Sequence, residues 1–408
     1  MKHDLQVSIL KELMRQLDSG KNVDSGLQYK NPTLAYTSPE IAQREWTDFF
    51  QNHTQLIGLS GDLPKPGSYF TVDDFGTPVL ATRDQDGTFR AFVNACRHRG
   101  ARVAEGRGDA KRFSCPFHAW TYTTGGDLAA IPQEDQFGEI DKSCYGLIEL
   151  PAEESNGILW VHPQPDGTLD LNDQLGPLLE EMSTLGCGDL IYVGETLIDK
   201  NLNWKLANDT FGETYHFQKL HRNTLGQIFY GDNLAYEEIG RNHRFVFAAK
   251  TIDELRDLPE SEWELRGNAN LLYYLFPNIQ FNLGRGSVAL IRIYPDKDNP
   301  GRSITRVSHY FSKEAVEAVA GEADSVIKAD NVYDGEGRDN AVISFEAITE
   351  VFNSTIEQED YLMGEHQQRA AENGLLDHVI FGRNEPALHH YHNTFREALG
   401  LPPLERLR

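Results

Sequence analysis

Apolar residues along the chain recur at helical spacing near the start and in short alternating runs over most of the remainder. Serine, proline and an acid at residues 38–40 predict the start of a second helix, because serine caps helix N-termini and proline is accepted in the first turn. Both helices are expected to serve packing. The apolar positions that predict the first helix, over residues 1–20, are Leu5, Ile9, Leu10, Leu13 and Leu17.

From about residue 67, short apolar runs separated by glycine predict β-strands. An acidic, helical stretch (LNDQLGPLLEEMSTLG) follows, and longer strand-like runs resume at LIYVGETLI, HRFVFAAKTI and SITRVSHYFS. The 408 residues suffice for two or three domains. The pattern predicts an α+β protein with a helical arm over residues 1–44, an all-β domain over 45–165, and a domain with a long antiparallel sheet over 166–408.

The charge and composition of the chain argue against several classes of partner. The 62 acidic side chains outnumber the 38 basic ones, for a net charge of −24, so nucleic acid and anionic membranes are not expected partners. The apolar runs are shorter than a membrane span, and the N-terminus lacks the apolar core of a secretory signal. Four cysteines do not make a disulfide framework in a chain of this length. We therefore expect a cytoplasmic protein.

Two cysteine–histidine pairs stand beside predicted strands of the all-β part: Cys96 with His98 in CRHRG, and Cys115 with His118 in CPFHAW. Such a set fits either a zinc site or a two-iron cluster. Zinc fingers favour two closely spaced cysteines followed by paired histidines, whereas here each loop supplies one thiolate and one imidazole. That arrangement is typical of a Rieske [2Fe–2S] centre, with two cysteines on one iron and two histidines on the other.

The stretch NWKLANDTFGETYHFQKLH, residues 203–221, places Glu213, His216 and His221 within nine positions. Two histidines and a carboxylate are typical of a non-haem ferrous site; one buried and one surface histidine without metal are the alternative. On a helix, Glu213 and His216 would share a face, but His216 and His221 would lie about 140° apart. If both histidines bind one metal ion, the helix must stop or loosen between Phe217 and Leu220.

A further ligand must come from elsewhere, and an acid-rich helix predicted over residues 353–373 offers candidates. Glu365 points away from the apolar stripe of this helix, and Glu357 is marginal. Glu359 and Asp360 flank the stripe on either side, so periodicity alone does not choose between them.

Together the motifs resemble the large (α) subunits of Rieske non-haem iron ring-hydroxylating oxygenases over nearly the whole chain. CRHRG followed by CPFHAW resembles their Rieske domain, and NWK before a carboxylate, Tyr-His and a second His resembles their mononuclear iron motif. The resemblance implies an all-β Rieske domain and a helix-grip (START-like) catalytic domain with an antiparallel sheet. It assigns the cluster to Cys96, His98, Cys115 and His118, and the mononuclear iron to His216, His221 and Asp360.

The same resemblance gives roles to two acids near the iron motif. In this family an acid at the position of Glu213 bridges the iron histidine to a cluster histidine of the adjacent subunit, here His216 to His118, so a homotrimer is implied. That acid is usually aspartate. Asn208-Asp209 departs from the Glu-Asn pair of some aromatic dioxygenases, which leaves Asp209 a supporting role beside the ligands.

The expected activity is that of a terminal oxygenase that uses O2 and electrons from NAD(P)H to hydroxylate an aromatic substrate, such as an aromatic acid, at Fe(II). No GxGxxG signature stands in a strand–helix setting, so electrons are expected through a separate ferredoxin or flavin reductase; a small β subunit is left open. One alternative is a monooxygenase that demethylates or cleaves a quaternary ammonium compound, and another is a non-catalytic Rieske electron carrier. The candidates for the substrate pocket are Phe211, Phe229, Tyr230, Tyr273 and Phe352.

A cluster of basic residues accompanies the cysteine–histidine loops, with only two acids, Glu105 and Asp109, among them. In so acidic a chain, it predicts either a docking surface for an acidic electron donor or arginines that pair internally. The basic residues are Arg97, Arg99, Arg102, Arg107, Lys111 and Arg112.

Overall fold

The computed structural model of the protein describes residues 1–320 and 345–407. The chain divides into two compact units. The larger comprises Met1–Arg44, Leu171–Leu185 and Val193–Arg408, and the smaller comprises Glu45–Asp170 and Gly186–Tyr192. Within the described residues, no helix is both long and apolar enough to cross a membrane.

The chain begins with one long helix and three short elements. The predicted apolar stripe of the first helix is confirmed, since Leu10 and Leu13 are fully buried. Gly20 ends this helix in the left-handed region, with φ of 63°, and its amide donates to the carbonyls of Gln16 and Leu17. The elements are α1 (His3–Ser19), β1 (Tyr29–Pro32), α2 (Leu34–Thr37) and α3 (Pro39–Glu45).

The smaller unit is built mainly from short antiparallel strands, as its alternating runs predict. They are β2 (Gln55–Leu59), β3 (Ser68–Val72), β4 (Val79–Arg83), β5 (Phe89–Val93), β6 (Arg107–Asp109), β7 (Arg112–Ser114), β8 (Thr121–Thr123), β9 (Leu128–Ala130), β10 (Glu149–Leu150), β11 (Ala152–Ser155) and β12 (Ile158–Val161). They form one five-stranded sheet, β10-β5-β4-β3-β6, and two three-stranded sheets, β11-β12-β2 and β7-β8-β9. A π-helical turn (Trp46–Gln51) and α4 (Glu134–Phe137) complete this unit.

A seven-stranded antiparallel sheet is the centre of the larger unit. Its strands are β13 (Ile191–Lys200), β14 (Ala235–Ile239), β15 (Asn242–Ala248), β16 (Ala269–Leu275), β17 (Ile279–Gly284), β18 (Ser287–Pro295) and β19 (Ser303–Phe311). The order is β13-β19-β18-β17-β16-β15-β14. Two short strands, β20 (His378–Phe381) and β21 (Glu405–Arg406), pair on either side of β1.

The helices of the larger unit include one break in regular α-geometry. A π-helical turn (Ile356–Asp360) joins two helices, and the Tyr361 amide donates to the Ile356 carbonyl five residues earlier. The extra residue in this turn rotates the second of these helices by about 100° relative to a continuous α-helix. The helices are α5 (Leu171–Leu175), α6 (Leu178–Met182), α7 (Trp204–Asp209), α8 (Lys313–Ala320), α9 (Phe345–Thr355), α10 (Tyr361–Glu372) and α11 (Pro386–Ala398). Short 3₁₀ turns cover Ser60–Asp62, Lys142–Cys144, Cys187–Asp189, Leu225–Gln227, Lys250–Asp257 and Glu260–Glu262.

Alternation along the strands decides which side chains share a face of the large sheet. In the register of β15, β16 and β17, Phe247 lies opposite Asn270, while Leu272 lies opposite both Phe245 and Asn282. Directly opposed residues, and residues two apart on one strand, project from the same face. These five side chains therefore lie on one face of the sheet.

The centre of the large sheet should dominate the stability of the larger unit. Leu290 of β18 is fully buried, so Leu290→Ala is expected to lower the free energy of unfolding by about 2–5 kcal/mol, through lost burial and a residual cavity. Urea unfolding followed by circular dichroism measures this. Leu375, 86% exposed, supplies the control: Leu375→Ala is expected to change stability by less than about 0.5 kcal/mol. If the two substitutions lowered the free energy of unfolding equally, the centre of the large sheet would not dominate the stability of the larger unit.

Candidate metal centre

Three side chains of the larger unit converge on one point. The Nε2 atoms of His216 and His221 are 3.1 Å apart, and Asp360 Oδ1 lies 3.3 Å from the first and 3.1 Å from the second. Among the described residues, this is the one group of three or more histidine, cysteine, aspartate or glutamate side chains whose ligand atoms lie within 4.8 Å of one another. Two imidazoles and one carboxylate leave further coordination positions open on a bound metal ion.

The two histidines reach this point because α7 ends early. The helix stops at Asp209, and the following residues, as far as Thr224, run through successive turns. A break was expected between Phe217 and Leu220, but the helix has already ended before His216. The Leu220 amide donates to the His216 carbonyl at 2.8 Å, a local turn that brings the histidine five residues later alongside.

The π-helical turn separates the roles of Glu359 and Asp360. Asp360, only 7% exposed, points at the two Nε2 atoms. Glu359 accepts from Nδ1 of His221 at 2.6 Å and from the Thr224 hydroxyl at 2.9 Å. Glu359 therefore holds one histidine ring in place, whereas Asp360 presents a carboxylate oxygen to both Nε2 atoms.

Glu213 holds the ring of the other histidine, His216, in the same way. Its Oε1 lies 2.5 Å from His216 Nδ1, and its Oε2 accepts from the His216 backbone amide at 3.1 Å. Each ring thus has a carboxylate on Nδ1, which fixes the tautomer with Nε2 free to bind a metal ion.

The electrostatics of the site favour a cation. Burial opposes a charge on His216, but hydrogen bonds with Asp360 and Glu213 outweigh it and raise the pKa of His216 to about 10. For the same reasons, with Asp360 again the strongest partner, the pKa of His221 is raised. Burial would raise the pKa of Asp360, yet its bonds to both histidines lower it. The carboxylates thus stabilise positive charge at this point, and a divalent metal ion would supply it with both imidazoles neutral. The donor set fits ferrous iron.

A cavity of about 170 Å³ lies beside the three side chains, between the helical segment that carries Asp360 and the large sheet. Of the five predicted pocket residues, Phe211, Phe229 and Phe352 line it. The structure places the two tyrosines outside: Tyr230 donates to Asp253 at 2.6 Å, and Tyr273 donates to Glu181 at 2.5 Å. Tyr273 follows Leu272 on β16 and therefore projects from the opposite face. Lining residues that were not predicted include Phe217, Phe245, Phe247, Asn270 and Asn282.

A wider cleft of about 770 Å³ also reaches His216 and Asp360. Lys219, His366 and Glu385 line it, but His221 does not. The smaller cavity touches all three converging side chains and carries the aromatic lining, so it is the better candidate for the substrate.

Asp209 takes no part in the convergence. Both of its carboxylate oxygens lie 3.0 Å from Nε2 of His392, and one accepts from the Tyr36 hydroxyl at 2.7 Å. These contacts tie the end of α7 to α11 and to the N-terminal segment. The supporting role expected of Asp209 stays a prediction; Asp209 lines the wider cleft together with Glu213 and His216.

In the smaller unit, the two cysteine–histidine loops share one backbone pattern. The amide four residues after each cysteine donates to the cysteine carbonyl, from Gly100 to Cys96 at 2.8 Å and from Ala119 to Cys115 at 2.9 Å. Gly100 and Ala119 both have positive φ, 81° and 56°. Two equivalent tight loops thus present their cysteine and histidine side chains together.

The side chains of these loops pair by type. Burial raises the pKa of the Cys96 thiol, a hydrogen bond from Tyr122 opposes this, and the neighbouring Cys115 reinforces it. The rings of His98 and His118 are 4.7 Å apart. Nδ1 of His98 is buried without a hydrogen-bond partner among the described residues, as a ligand nitrogen requires. Thiol beside thiol and imidazole beside imidazole fit a [2Fe–2S] cluster rather than a single zinc ion, on which all four would converge.

Internal pairing explains part of the basic cluster beside these loops, and its role in docking a donor stays a prediction. Arg102 pairs with Asp73 and Arg107 with Asp62, each at 2.8 Å. Lys111 and Arg112 are exposed. Internal pairing therefore accounts for the two arginines, and the exposed pair is available to an acidic partner.

Comparison with known families identifies both units. The family described as "Ring hydroxylating alpha subunit (catalytic domain)" matches residues 188–401, and the family described as "Rieske [2Fe-2S] domain" matches residues 53–149. The first match spans more than half of the chain. It excludes a stand-alone electron carrier, because such a protein would have no catalytic domain.

Characterised proteins of two substrate classes are similar to this chain. The carnitine monooxygenase oxygenase subunit of Acinetobacter baumannii is 26% identical over 69% of this chain and 76% of its own length. The glycine betaine monooxygenase oxygenase subunit of Chromohalobacter salexigens is 28% identical over 50% of this chain. The large oxygenase component of a Pseudomonas aeruginosa naphthalene 1,2-dioxygenase system is 33% identical, also over 50%. The last two matches cover 45% and 46% of those proteins.

Solved structures share the fold. A quaternary ammonium Rieske monooxygenase in complex with L-carnitine has a TM-score of 0.71 at 19% identity, over 91% of this chain and 95% of that chain. Naphthalene 1,2-dioxygenase from Rhodococcus sp. has a TM-score of 0.65 at 18% identity, over 98% and 100%. This chain therefore belongs to the α subunits of ring-hydroxylating oxygenases, enzymes that combine a Rieske [2Fe–2S] domain with a mononuclear iron catalytic domain.

Proposed function

We propose that this chain is the terminal oxygenase of a system that oxidises a small quaternary ammonium compound. The observation that carries the substrate class is the aromatic lining of the cavity, in which the described residues place no basic side chain. Glu213 and Asp360 line it together with six phenylalanines, and no lysine or arginine of the described residues does so. An aromatic acid, the substrate expected from the sequence, would bring its carboxylate into this cavity without a lysine or arginine of the described residues to pair with.

The aromatic lining supports a cationic substrate. Phenylalanine faces carry negative electrostatic potential and attract quaternary ammonium groups that cannot form hydrogen bonds. Phe217 and Phe247 are 5.2 Å apart, and Phe229 and Phe247 are 5.0 Å apart, both edge to face. Rings in this arrangement can turn their faces towards a small quaternary ammonium group. A neutral arene would gain the same apolar contacts but not the attraction between a cation and the ring faces.

The size of the cavity limits the substrate further. Its volume of about 170 Å³ lies below the roughly 300–1,000 Å³ of typical ligand pockets. The carnitine and glycine betaine monooxygenase subunits that resemble this chain act on small ammonium compounds, as their names state. Their similarity and the cavity support the same class.

The chain's own residues prepare the site in three ways. We propose that His216, His221 and Asp360 hold the mononuclear iron, with Glu213 and Glu359 fixing both rings through Nδ1. The phenylalanines exclude water from the substrate side. Bound ferrous iron supplies O2 activation at the open positions that two histidines and a carboxylate leave.

Electrons reach this site through other groups. We propose that Cys96, His98, Cys115 and His118 hold the Rieske cluster and that Glu213 is the inter-subunit bridge between His216 and His118 of a neighbouring copy. Oxygenases of this family work with a ferredoxin or reductase and form trimers. The exposed Lys111 and Arg112 suit an acidic donor of this kind.

Loss of one ligand of the mononuclear iron should empty that site and leave the cluster intact. Asp360→Ala is expected to lose the mononuclear iron but keep the cluster, because it removes a donor atom from the larger unit alone. Metal analysis should fall from about three irons per chain towards two, with the cluster absorbance retained. Glu357→Ala is the matched control, since Glu357 lies in the same turn but pairs with Lys200 at 2.9 Å. Full iron content in Asp360→Ala would exclude Asp360 as a ligand.

Glu213→Gln tests the bridge. Glutamine keeps the length and hydrogen-bonding capacity of the side chain but removes its charge. Both metals should remain bound, while turnover falls by about 100-fold or more. Metal analysis and single-turnover kinetics with chemically pre-reduced protein measure the two effects. Loss of the mononuclear iron in this variant would show that Glu213 is a ligand instead.

Oxygen consumption with a substrate panel tests the proposed class. The purified oxygenase with a reductase should consume O2 and form product with small trimethylammonium compounds, and give at least tenfold less product with benzoate or naphthalene, about 1.4 kcal/mol in transition-state binding. Product analysis is essential, because uncoupled O2 consumption yields no oxidised substrate. Preferential oxidation of the arenes would refute the ammonium class and leave the oxygenase assignment intact.

A further inference from the structure

Two asparagines stand out on the cavity face of the large sheet. Asn270 of β16 and Asn282 of β17 line the cavity, and both are partly exposed, while their chain neighbours Ala269, Leu271, Phe281 and Leu283 are buried. Asparagine is depleted in strands, and an apolar residue would be expected at either position of a cavity lined by phenylalanine. Polar side chains on an otherwise apolar wall are the informative exception.

The two amides bond to each other and leave capacity unused. Nδ2 of Asn270 donates to Oδ1 of Asn282 at 2.8 Å. No other hydrogen bond links either side chain to a described residue. Neither amide has a polar atom that is fully buried without a hydrogen-bond partner. With one hydrogen bond between them, the two amides keep unused N–H donors and unused carbonyl lone pairs, whichever way both amides are turned. Because both residues line the cavity, these groups are available to a bound molecule.

We propose that the Asn270–Asn282 pair binds a neutral hydroxyl group of the substrate, which would make the preferred substrate an ammonium alcohol; this rests on the proposed function. A hydroxyl both donates and accepts, so it can bond an N–H and a carbonyl of the pair at once. A carboxylate only accepts and would leave the carbonyl oxygens of the pair facing its charge. Because no lysine or arginine among the described residues lines the cavity, a substrate carboxylate would be buried there without a cationic partner.

A series of rings connects the pair to the metal ligands. The rings of His221 and Phe217 are 5.3 Å apart, and those of Phe217 and Phe247 are 5.2 Å apart. Phe247 lies directly opposite Asn270 in the β15–β16 register. An ammonium group among these rings would lie between the amide pair and the histidines, with its methyl groups able to face the iron side.

Ligand binding to the wild-type holoenzyme under anaerobic conditions tests this directly. Isothermal titration with choline, glycine betaine and tetramethylammonium compares a hydroxyl, a carboxylate and no polar group on the same cation. Choline is expected to bind about tenfold tighter than either of the others, the gain of one well-formed hydrogen-bonded site. Glycine betaine binding as tightly as choline would overturn the proposal.

Substitutions test whether the preference for choline comes from the Asn270–Asn282 pair. Asn282→Leu and Asn270→Leu should each weaken choline about tenfold while leaving tetramethylammonium within twofold. Thr355→Val is the matched control, because Thr355 also lines the cavity but its hydroxyl is already bonded to the Val351 carbonyl at 2.9 Å; the choline-to-tetramethylammonium ratio should stay as in the wild type. A Leu variant that weakens both ligands equally would show a merely structural role and overturn the proposal.

The same measurements distinguish failure of the proposed ammonium class from failure of the role of the asparagines. If benzoate binds and none of the three cations does, the ammonium class is wrong and this assignment falls with it. If all three cations bind with equal affinity, the class stands and the role of the asparagines is refuted. Metal analysis of each Leu variant, expected to match the wild type, distinguishes loss of recognition from loss of the iron site.

Discussion

The structure of the larger unit depends on one electrostatic constraint: two imidazoles and three carboxylates must share a small buried space. Asp360 approaches both Nε2 atoms, while Glu213 and Glu359 hold the two Nδ1 atoms. Such an arrangement is stable only with positive charge at its centre. The early end of α7, the turns after it and the π-helical turn all serve to bring these five groups together, and the large sheet closes the space from the other side.

Many residues of this site can be predicted from the sequence because they lie close together along the chain. The Cys96 and Cys115 loops each carry their histidine within three positions, and both loops repeat one backbone pattern. His216 and His221 are likewise neighbours along the chain. The choice between Glu359 and Asp360 was not available from periodicity, because helical phase changes at the π-helical turn. Nothing in the one-letter pattern marks that extra residue.

The lining of the cavity was harder to predict for a geometric reason. Its side chains come from the turns after α7, from β15 to β18 and from the end of α9, so membership depends on strand parity and on register. A shift of one residue separates Leu272, which faces the cavity, from Tyr273, which faces Glu181. Only the assembled set reveals that the cavity is lined by phenylalanines and, among the described residues, by no basic side chain. The expectation of an aromatic acid therefore came from the commonest chemistry of the family and not from the pocket itself.

The π-helical turn between α9 and α10 also has a bearing on how sequences of this kind diverge. Exchange of side chains on its surface leaves Asp360 where it is, since the backbone alone sets its direction. Removing one residue would restore a regular helix and swing the carboxylate by about 100° away from the histidines. The length of this segment therefore matters more to the site than the identity of its surface residues, so a single-residue deletion here would change the chemistry where many substitutions would not.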